Sequence, residues 1–341
     1  MANIYDVAKR ARVSVSTVSA VVNDTTYVSR ALQSRVREAI EDLGYRPNLL
    51  ARSLAKQKSH MIGMIVPDIA NPFWPQVVRG AEDKAHQAGY TLLLSNSDDD
   101  PQKERLYLNV FLAKRVDGIL LAKAPGRLDP QLAAQLRAAK IPIALMVRVS
   151  RGLAFDAIVL DDRDAAYEAV THLVRLGYQR IGIINGLASV SSTRQRLAGY
   201  KKALRDARRP FVASLACHGD FRVESGYRGG LDILKQKPDA VFITNYLMAV
   251  GFMRALRQYQ LRCPEDVAIV TCDDHPWLDS FGLGLTTVNF PKYELGCESC
   301  RVLIDRLLQP RSPLQSIELK SSLTIRESCG FPARRSAPAI A

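Results

Sequence analysis

Ile4-Tyr5-Asp6-Val7-Ala8-Lys9-Arg10-Ala11-Arg12-Val13-Ser14-Val15-Ser16-Thr17-Val18-Ser19-Ala20-Val21-Val22 decides how the front of this chain reads. Ile4, Val7, Ala8 and Ala11 fall at i, i+3, i+4 and i+7, one face of a helix. The period breaks at Arg12-Val13-Ser14, and Ser14 can cap a second helix from Val15. In that helix Val18, Val21 and Val22 turn inward, leaving Val15, Ser16, Thr17 and Ala20 on the other side. Val36, Ala39, Ile40 and Leu43 make a third helical face that stops at Gly44. Three short helices with a tight turn between the first two predict a helix-turn-helix, whose second helix suits close approach to bases and phosphates. An ordinary three-helix bundle has the same spacing.

Charge points the same way. Residues 1–60 hold ten Lys/Arg against five acids, while the other 281 residues share the remaining +8 of a net +13. A small basic head on a large body suits a polyanion such as nucleic acid, or simply a solvated face. At 341 residues, 47% hydrophobic and 24% charged, the chain has the composition of two or three folded domains. It is long enough to fold without a disulfide or metal staple. No apolar run reaches the 18 residues of a membrane span, and Met1 to Asp6 lacks a secretory pattern, so a cytoplasmic protein with reduced cysteines is expected.

Tyr5-Asp6-Val7-Ala8-Lys9, Val13 to Ser19 and Gly44-Tyr45-Arg46-Pro47-Asn48 resemble the signature of the lactose/galactose repressor (LacI/GalR) family. The likeness continues to Ile325-Arg326-Glu327-Ser328-Cys329. It implies that Val15, Ser16 and Ala20 read bases and Thr17 contacts phosphate, with Tyr5, Ser14, Ser19, Asn23 and Ser29 also at the DNA surface. Many members carry a long polar residue, often arginine, where this chain has Ala20. A methyl group cannot grip guanine O6 and N7 but can pack on a thymine methyl.

Residues 47–60 read as a hinge and linker after a head of residues 1–46. Pro47 fixes a turn, Asn48 is a good cap, and Leu49 to Leu54 has helix-forming composition but only about two turns, too short to persist alone in water. By resemblance two such helices meet in the minor groove, where Asn48, Ala51 and Arg52 contact DNA and Leu54 wedges between base steps. Spacing alone reads Leu54 as a core residue.

From residue 61 strands and helices alternate. Met61-Ile62-Gly63-Met64-Ile65-Val66 is a buried strand, followed by a helix around Val77 to Ala88 and a strand at Tyr90 to Leu94. The grammar returns at Arg180 to Ile184 with a helix around Leu197 to Leu204, and Val116 to Leu121 matches Pro238 to Ile243. Tandem βα units imply two doubly wound parallel-sheet subdomains, with ligands bound beyond the carboxyl ends of the strands. The resemblance implies a periplasmic-binding-protein-like core over 61–330, crossed near 161, 290 and 322. One subdomain would span about 61–160 plus 291–321, and the other about 162–289 plus 323–330. The expected fold class is therefore an all-α helix-turn-helix head on an α/β core, with a short tail at 331–341 that has no leucine heptads. No phosphate-cradling glycine motif follows a first strand, so no nucleotide cofactor is expected.

Phe73 and Trp74 stand at the carboxyl end of the first strand, where aromatic faces suit sugars or flat heterocycles; packing on the neighbouring helix is as good a reading of either alone. By resemblance Arg196 binds ligand oxygens, Asn245 and Asp273 end two strands as ligand contacts, and Phe221 forms the far wall. Arg148, close to where several sugar-responsive relatives carry an acid, combines with Arg196 to tilt the cleft positive and point to an acidic sugar or sugar phosphate. Tyr246 departs from the acid that commonly follows the asparagine, which blocks direct transfer of a relative's ligand.

Cys297-Glu298-Ser299-Cys300 has metal-like spacing but no second ligand pair, and His275 beside Asp273 and Asp274 has no nucleophile motif; no metal or catalytic residue is expected. The reading is a homodimeric, effector-controlled transcription regulator, most simply a repressor, on a palindromic double-stranded operator. Its rivals are a sugar-processing α/β enzyme and a ligand-independent architectural DNA binder.

Overall fold

The structure, a computed structural model, describes residues 2–23, 26–45, 58–149, 155–275 and 284–331. The chain divides into two compact units, Met1–His60 and Met61–Ala341.

The first unit holds α1 (Ile4–Ala11), α2 (Val15–Asn23) and α3 (Arg30–Leu43). α1 opens on a capping box, in which Asn3 accepts from the Tyr5 and Asp6 amides and Asp6 accepts from the Asn3 amide. It stops because Arg12 turns left-handed, at φ 51° and ψ 52°. α3 ends at Gly44, which is left-handed at φ 55°. Val7, Ala8, Ala11, Val18, Val36 and Ala39 form the core, with Val21 and Val22 against it. Val15, expected to face outward, also leans on this core because the α2 stripe is wider than three valines.

The second unit runs β1 (Met61–Val66), α4 (Phe73–Gln87), β2 (Thr91–Asn96), α5 (Pro101–Ala113), β3 (Gly118–Leu121), α6 (Pro130–Ala138), β4 (Ile143–Met146) and β5 (Asp156–Leu160). Its second half follows with α7 (Asp162–Arg175), β6 (Ile181–Asn185), α8 (Ser191–Asp206), β7 (Ala216–His218), α9 (Val223–Leu234), β8 (Ala240–Ile243), α10 (Tyr246–Gln258), β9 (Ala268–Cys272) and β10 (Thr286–Asn289). The chain then returns through α11 (Lys292–Leu308), β11 (Ser316–Leu319) and β12 (Ser322–Thr324).

One sheet is ordered β11-β5-β4-β3-β1-β2 and the other β12-β10-β9-β8-β6-β7. Both are doubly wound. Ile62, Met64 and Val66 of β1 join the cluster on one face, while Ile65 joins Leu108, Phe111, Leu132 and Leu136 on the other. That two-sided burial explains the continuous apolar run in the sequence. The expectation of parallel sheets needs one correction, since β12 pairs antiparallel with β10. β10 ends where the chain leaves its half and β12 starts where it returns, so the two strands must run in opposite senses.

Two glycines seat α11 on α4. A Cβ on Gly80 would lie 2.0 Å from the Tyr293 carbonyl oxygen, and one on Gly296 would lie 2.0 Å from that of Val77. The helix backbones touch, and this fixes α11 against α4.

Candidate functional site

The candidate DNA surface is built from local hydrogen bonds. Ser14 Oγ accepts from the Thr17 amide at 3.1 Å, which caps α2. The same oxygen lies 2.7 Å from Ser16 Oγ and 2.8 Å from Thr17 Oγ1. The three hydroxyls thus form one cluster at the helix N-terminus, where free amides and the helix dipole favour phosphate. Ser16 is exposed, and Val15, Thr17, Ser19 and Ala20 are half-buried. Tyr5 is 69% exposed, and Ser29 stands exposed just before α3. Asn23 closes α2.

Not every cation here is free. Arg35 donates to the carbonyls of Ala11 and Arg12 at 2.6 and 3.2 Å, capping the carboxyl end of α1. Arg10 pairs with Asp42 at 2.6 Å. Tyr27, which the sequence reading passed over, is 92% exposed. Its only sequence signal is an aromatic outside every apolar period. Asn48, Ala51, Arg52 and Leu54 lie outside the described residues.

In the second unit all seven expected cleft residues, Phe73, Trp74, Arg148, Arg196, Phe221, Asn245 and Asp273, line one cavity between the two sheets. The empty space within it, counted out into the open mouth, is about 590 Å³. α4 starts earlier than periodicity predicted because Asn71 accepts from the Phe73 amide at 3.2 Å. This brings Phe73 and Trp74 into the first turn, edge to face with ring centres 5.0 Å apart. Both belong to the main core as well as to the cleft wall, so the two readings of these aromatics hold together.

The arginines are less available than sequence suggested. Arg148 donates to the Asp99 carboxylate and, at 3.1 Å, to the Lys123 carbonyl, and its guanidinium lies 5.6 Å from the Phe221 ring centre. Behind it Lys123 and Glu104 make a buried pair at 2.8 Å. Arg196 donates from Nε to Asp162 at 2.7 Å and from a terminal nitrogen to the Thr244 carbonyl, and sits 5.2 Å from the Phe290 ring centre. Burial opposes its charge, but the Asp162 and Asp273 carboxylates beside it hold the guanidinium protonated.

Five acids, Asp68, Asp98, Asp99, Asp220 and Asp273, line the cleft against three arginines, Arg148, Arg196 and Arg222. The expected positive tilt of the cleft is therefore corrected, because the partners that neutralise Arg148 and Arg196 come from 49 and 34 residues away. Of the missed lining residues, Asp98 and Asp99 had a signal in the Asp98-Asp99-Asp100-Pro101 run. Asp68, Asp220 and Arg222 had none beyond their neighbourhood in the fold.

Asn245 caps α10, accepting from the Met248 amide at 3.3 Å, and its side-chain nitrogen donates to Asp273 Oδ2 at 3.4 Å. Asp273 Oδ1 is buried and accepts no hydrogen bond among the described residues. Burial pushes this carboxyl up, against the pull of Lys292, Arg196, Asn245 and the Tyr246 amide. A buried acceptor left in that state asks for a donor from whatever fills the cleft.

Among the described residues no His/Cys/Asp/Glu group suits a metal, and no helix is long and apolar enough to cross a membrane. Cys297 and Cys300 lie on α11 as free thiols. The His275 ring stacks on Tyr246 at 5.8 Å.

Residues 3–48 match the model of bacterial regulatory proteins of the lacI family, and residues 170–329 match the periplasmic binding protein-like domain. The chain is 35% identical over 332 residues to the HTH-type transcriptional repressor PurR of Pectobacterium carotovorum, covering 96% of this chain and 97% of that one. A solved structure of the lac repressor dimer bound to operator and the anti-inducer ONPF is similar at TM-score 0.84 and 31% identity, over 96% of this chain and 99% of that one. The transcriptional regulator CelR–cellobiose complex is similar at TM-score 0.73 and 28% identity, over 96% of this chain and 100% of that one.

Proposed function

The chain belongs to the lacI family of bacterial regulatory proteins and is a ligand-responsive transcriptional regulator, and from that premise we propose that it is a homodimeric repressor of a palindromic operator, controlled by a neutral sugar. The observation that carries the effector class is the buried Asp273 Oδ1 without a donor, facing a cleft in which Arg148 and Arg196 are already paired. A sugar hydroxyl donates to that oxygen, while the Phe73–Trp74 wall takes the C–H face of the ring. An anionic effector would have to displace Asp99 or Asp162, or meet five lining acids. The cellobiose held by the CelR relative agrees with this class.

On the DNA side, Val15, Ser16 and Ala20 read base edges, Thr17 holds phosphate, and Tyr5, Ser14, Ser19, Asn23 and Ser29 fix the register. Asn48, Ala51, Arg52 and Leu54 act in the minor groove from the hinge of residues 47–60. Tyr27 adds an exposed phenol to this surface. Effector binding changes how the two halves of the core engage, and so the spacing of the paired hinges, coupling the sites by about 1–3 kcal/mol.

The test is to select duplexes from a random library, then screen neutral sugars, sugar acids and sugar phosphates by thermal shift. Each hit is then retested on the selected duplex. Neutral sugars that stabilise the protein and change its duplex affinity support the reading. Hits confined to phosphates overturn the effector class, a sugar returned chemically altered by mass spectrometry favours an enzyme, and duplex binding blind to every hit favours an architectural protein.

A further inference from the structure

Asp273 is held in an unusual conformation for a reason that lies behind the cleft. Its φ is +74°, a left-handed backbone that a residue with a side chain rarely takes. The turn is fixed by the Asp273 amide, which donates to the Val288 carbonyl at 2.9 Å, and by Arg326, which pairs with the next residue, Asp274, at 3.0 Å. It is fixed also by Lys292, whose ammonium donates to the Asp274 carbonyl at 2.6 Å.

Lys292 is out of place by ordinary rules. It is only 5% exposed, and lysine is almost never buried without a partner. It is also the first residue of α11, where the positive end of the helix dipole repels a cation. It does not line the effector cleft. With Asp274, His275 and Phe290 it lines a separate cavity on the other side of the turn. α11 packs on α4 and on β3, β4 and β5, so Lys292 is a side chain of the first half reaching a turn of the second.

We propose that Lys292 is a positioning residue for Asp273: it holds the turn that offers the carboxylate to the cleft and ties it to α11, so the acceptor is set only while the two halves are engaged. The proposal rests on the reading of Asp273 as the effector's acceptor. The charged and titratable groups around Asp273 are Arg196 on α8, Asp162 on α7, Lys292 on α11, Cys272 on β9, and Asp274 and His275 beyond it. Asn245 and the Tyr246 amide supply neutral dipoles. Lys292 is the foremost of the charges opposing the burial of the carboxylate.

The experiment needs neither effector nor operator. Full-length protein labelled with ¹³Cγ-aspartate is titrated by NMR, the Asp273 signal being assigned by its loss in Asp273→Asn. Amide exchange is followed over Cys272 to His275. Lys292→Met should make Asp273 bind its proton roughly tenfold more tightly, as removal of a nearby opposite charge does. It should also speed exchange of the Asp273 amide at least tenfold, and Lys292→Arg should restore both. Lys292→Gln serves if the methionine variant does not fold. An Asp273 midpoint or amide unmoved in the folded variant overturns the proposal. Failure of the effector reading appears separately, as sugar binding unchanged in Asp273→Asn.

Discussion

The head and the core carry their polar chemistry in opposite ways. In the head, Ser14, Ser16 and Thr17 are exposed or half-buried and bonded to neighbours within three residues. In the core, Arg148, Arg196 and Asp273 are buried, and the partners of their side chains lie 25 to 49 residues away. A surface for DNA must be wet until its partner arrives, because its affinity comes from exchanging counterions and water for phosphate. A cleft for a small molecule must be dry and nearly satisfied, leaving one or two groups unmet so that only the right donor completes it.

The sharpest way to break this contrast is Asp162→Ala. It strands a buried guanidinium and should cost the core about 3–5 kcal/mol, read as a fall in its unfolding midpoint. A loss below 1 kcal/mol would mean that Arg196 is wet after all. Leu54→Ala should weaken operator binding by roughly two orders of magnitude, the few kcal/mol of a lost wedge at a base step. Sugar affinity by calorimetry should stay level; unchanged DNA bending would remove Leu54 from the groove.

Asp273→Asn should lower sugar affinity by about 10- to 100-fold, the value of a hydrogen bond to a charged group, with the unliganded operator affinity unaffected. The pH dependence follows from the same carboxyl. Burial raises it, and the proposed sugar binding uses the ionised form. That binding is lost, as pH falls, sooner than for an ordinary aspartate. Over that interval the empty folded core takes up a proton the unfolded chain does not, so its stability relative to the unfolded chain rises. The smallest effect is Ser14→Ala, about 1 kcal/mol of head stability from a lost cap. Operator affinity should in addition fall steeply with salt while sugar affinity stays flat.

What could be read from sequence follows the same divide. Helix period, the Ser14 cap and the Gly44 stop are local, so the head was legible. Strand ends brought Phe73, Trp74, Asn245 and Asp273 toward one place, and the family resemblance added Arg196, Phe221 and Arg148. Their pairing was not legible. Nothing near Arg148 announces Asp99, and nothing near Arg196 announces Asp162, so in the sequence two neutralised arginines read as free charge. The antiparallel β12 was hidden for a similar reason, since its sense depends on where the chain re-enters the second half.

That late return has a consequence for synthesis. β11 and β12 complete their sheets only with residues 316–324, whereas the head has its own small core by residue 45. At about 5–20 residues per second of translation, roughly a quarter of a minute to a minute separates the two events. For that interval a nascent chain carries a finished DNA reader ahead of two unfinished sheets, so the reader exists before anything that could regulate it.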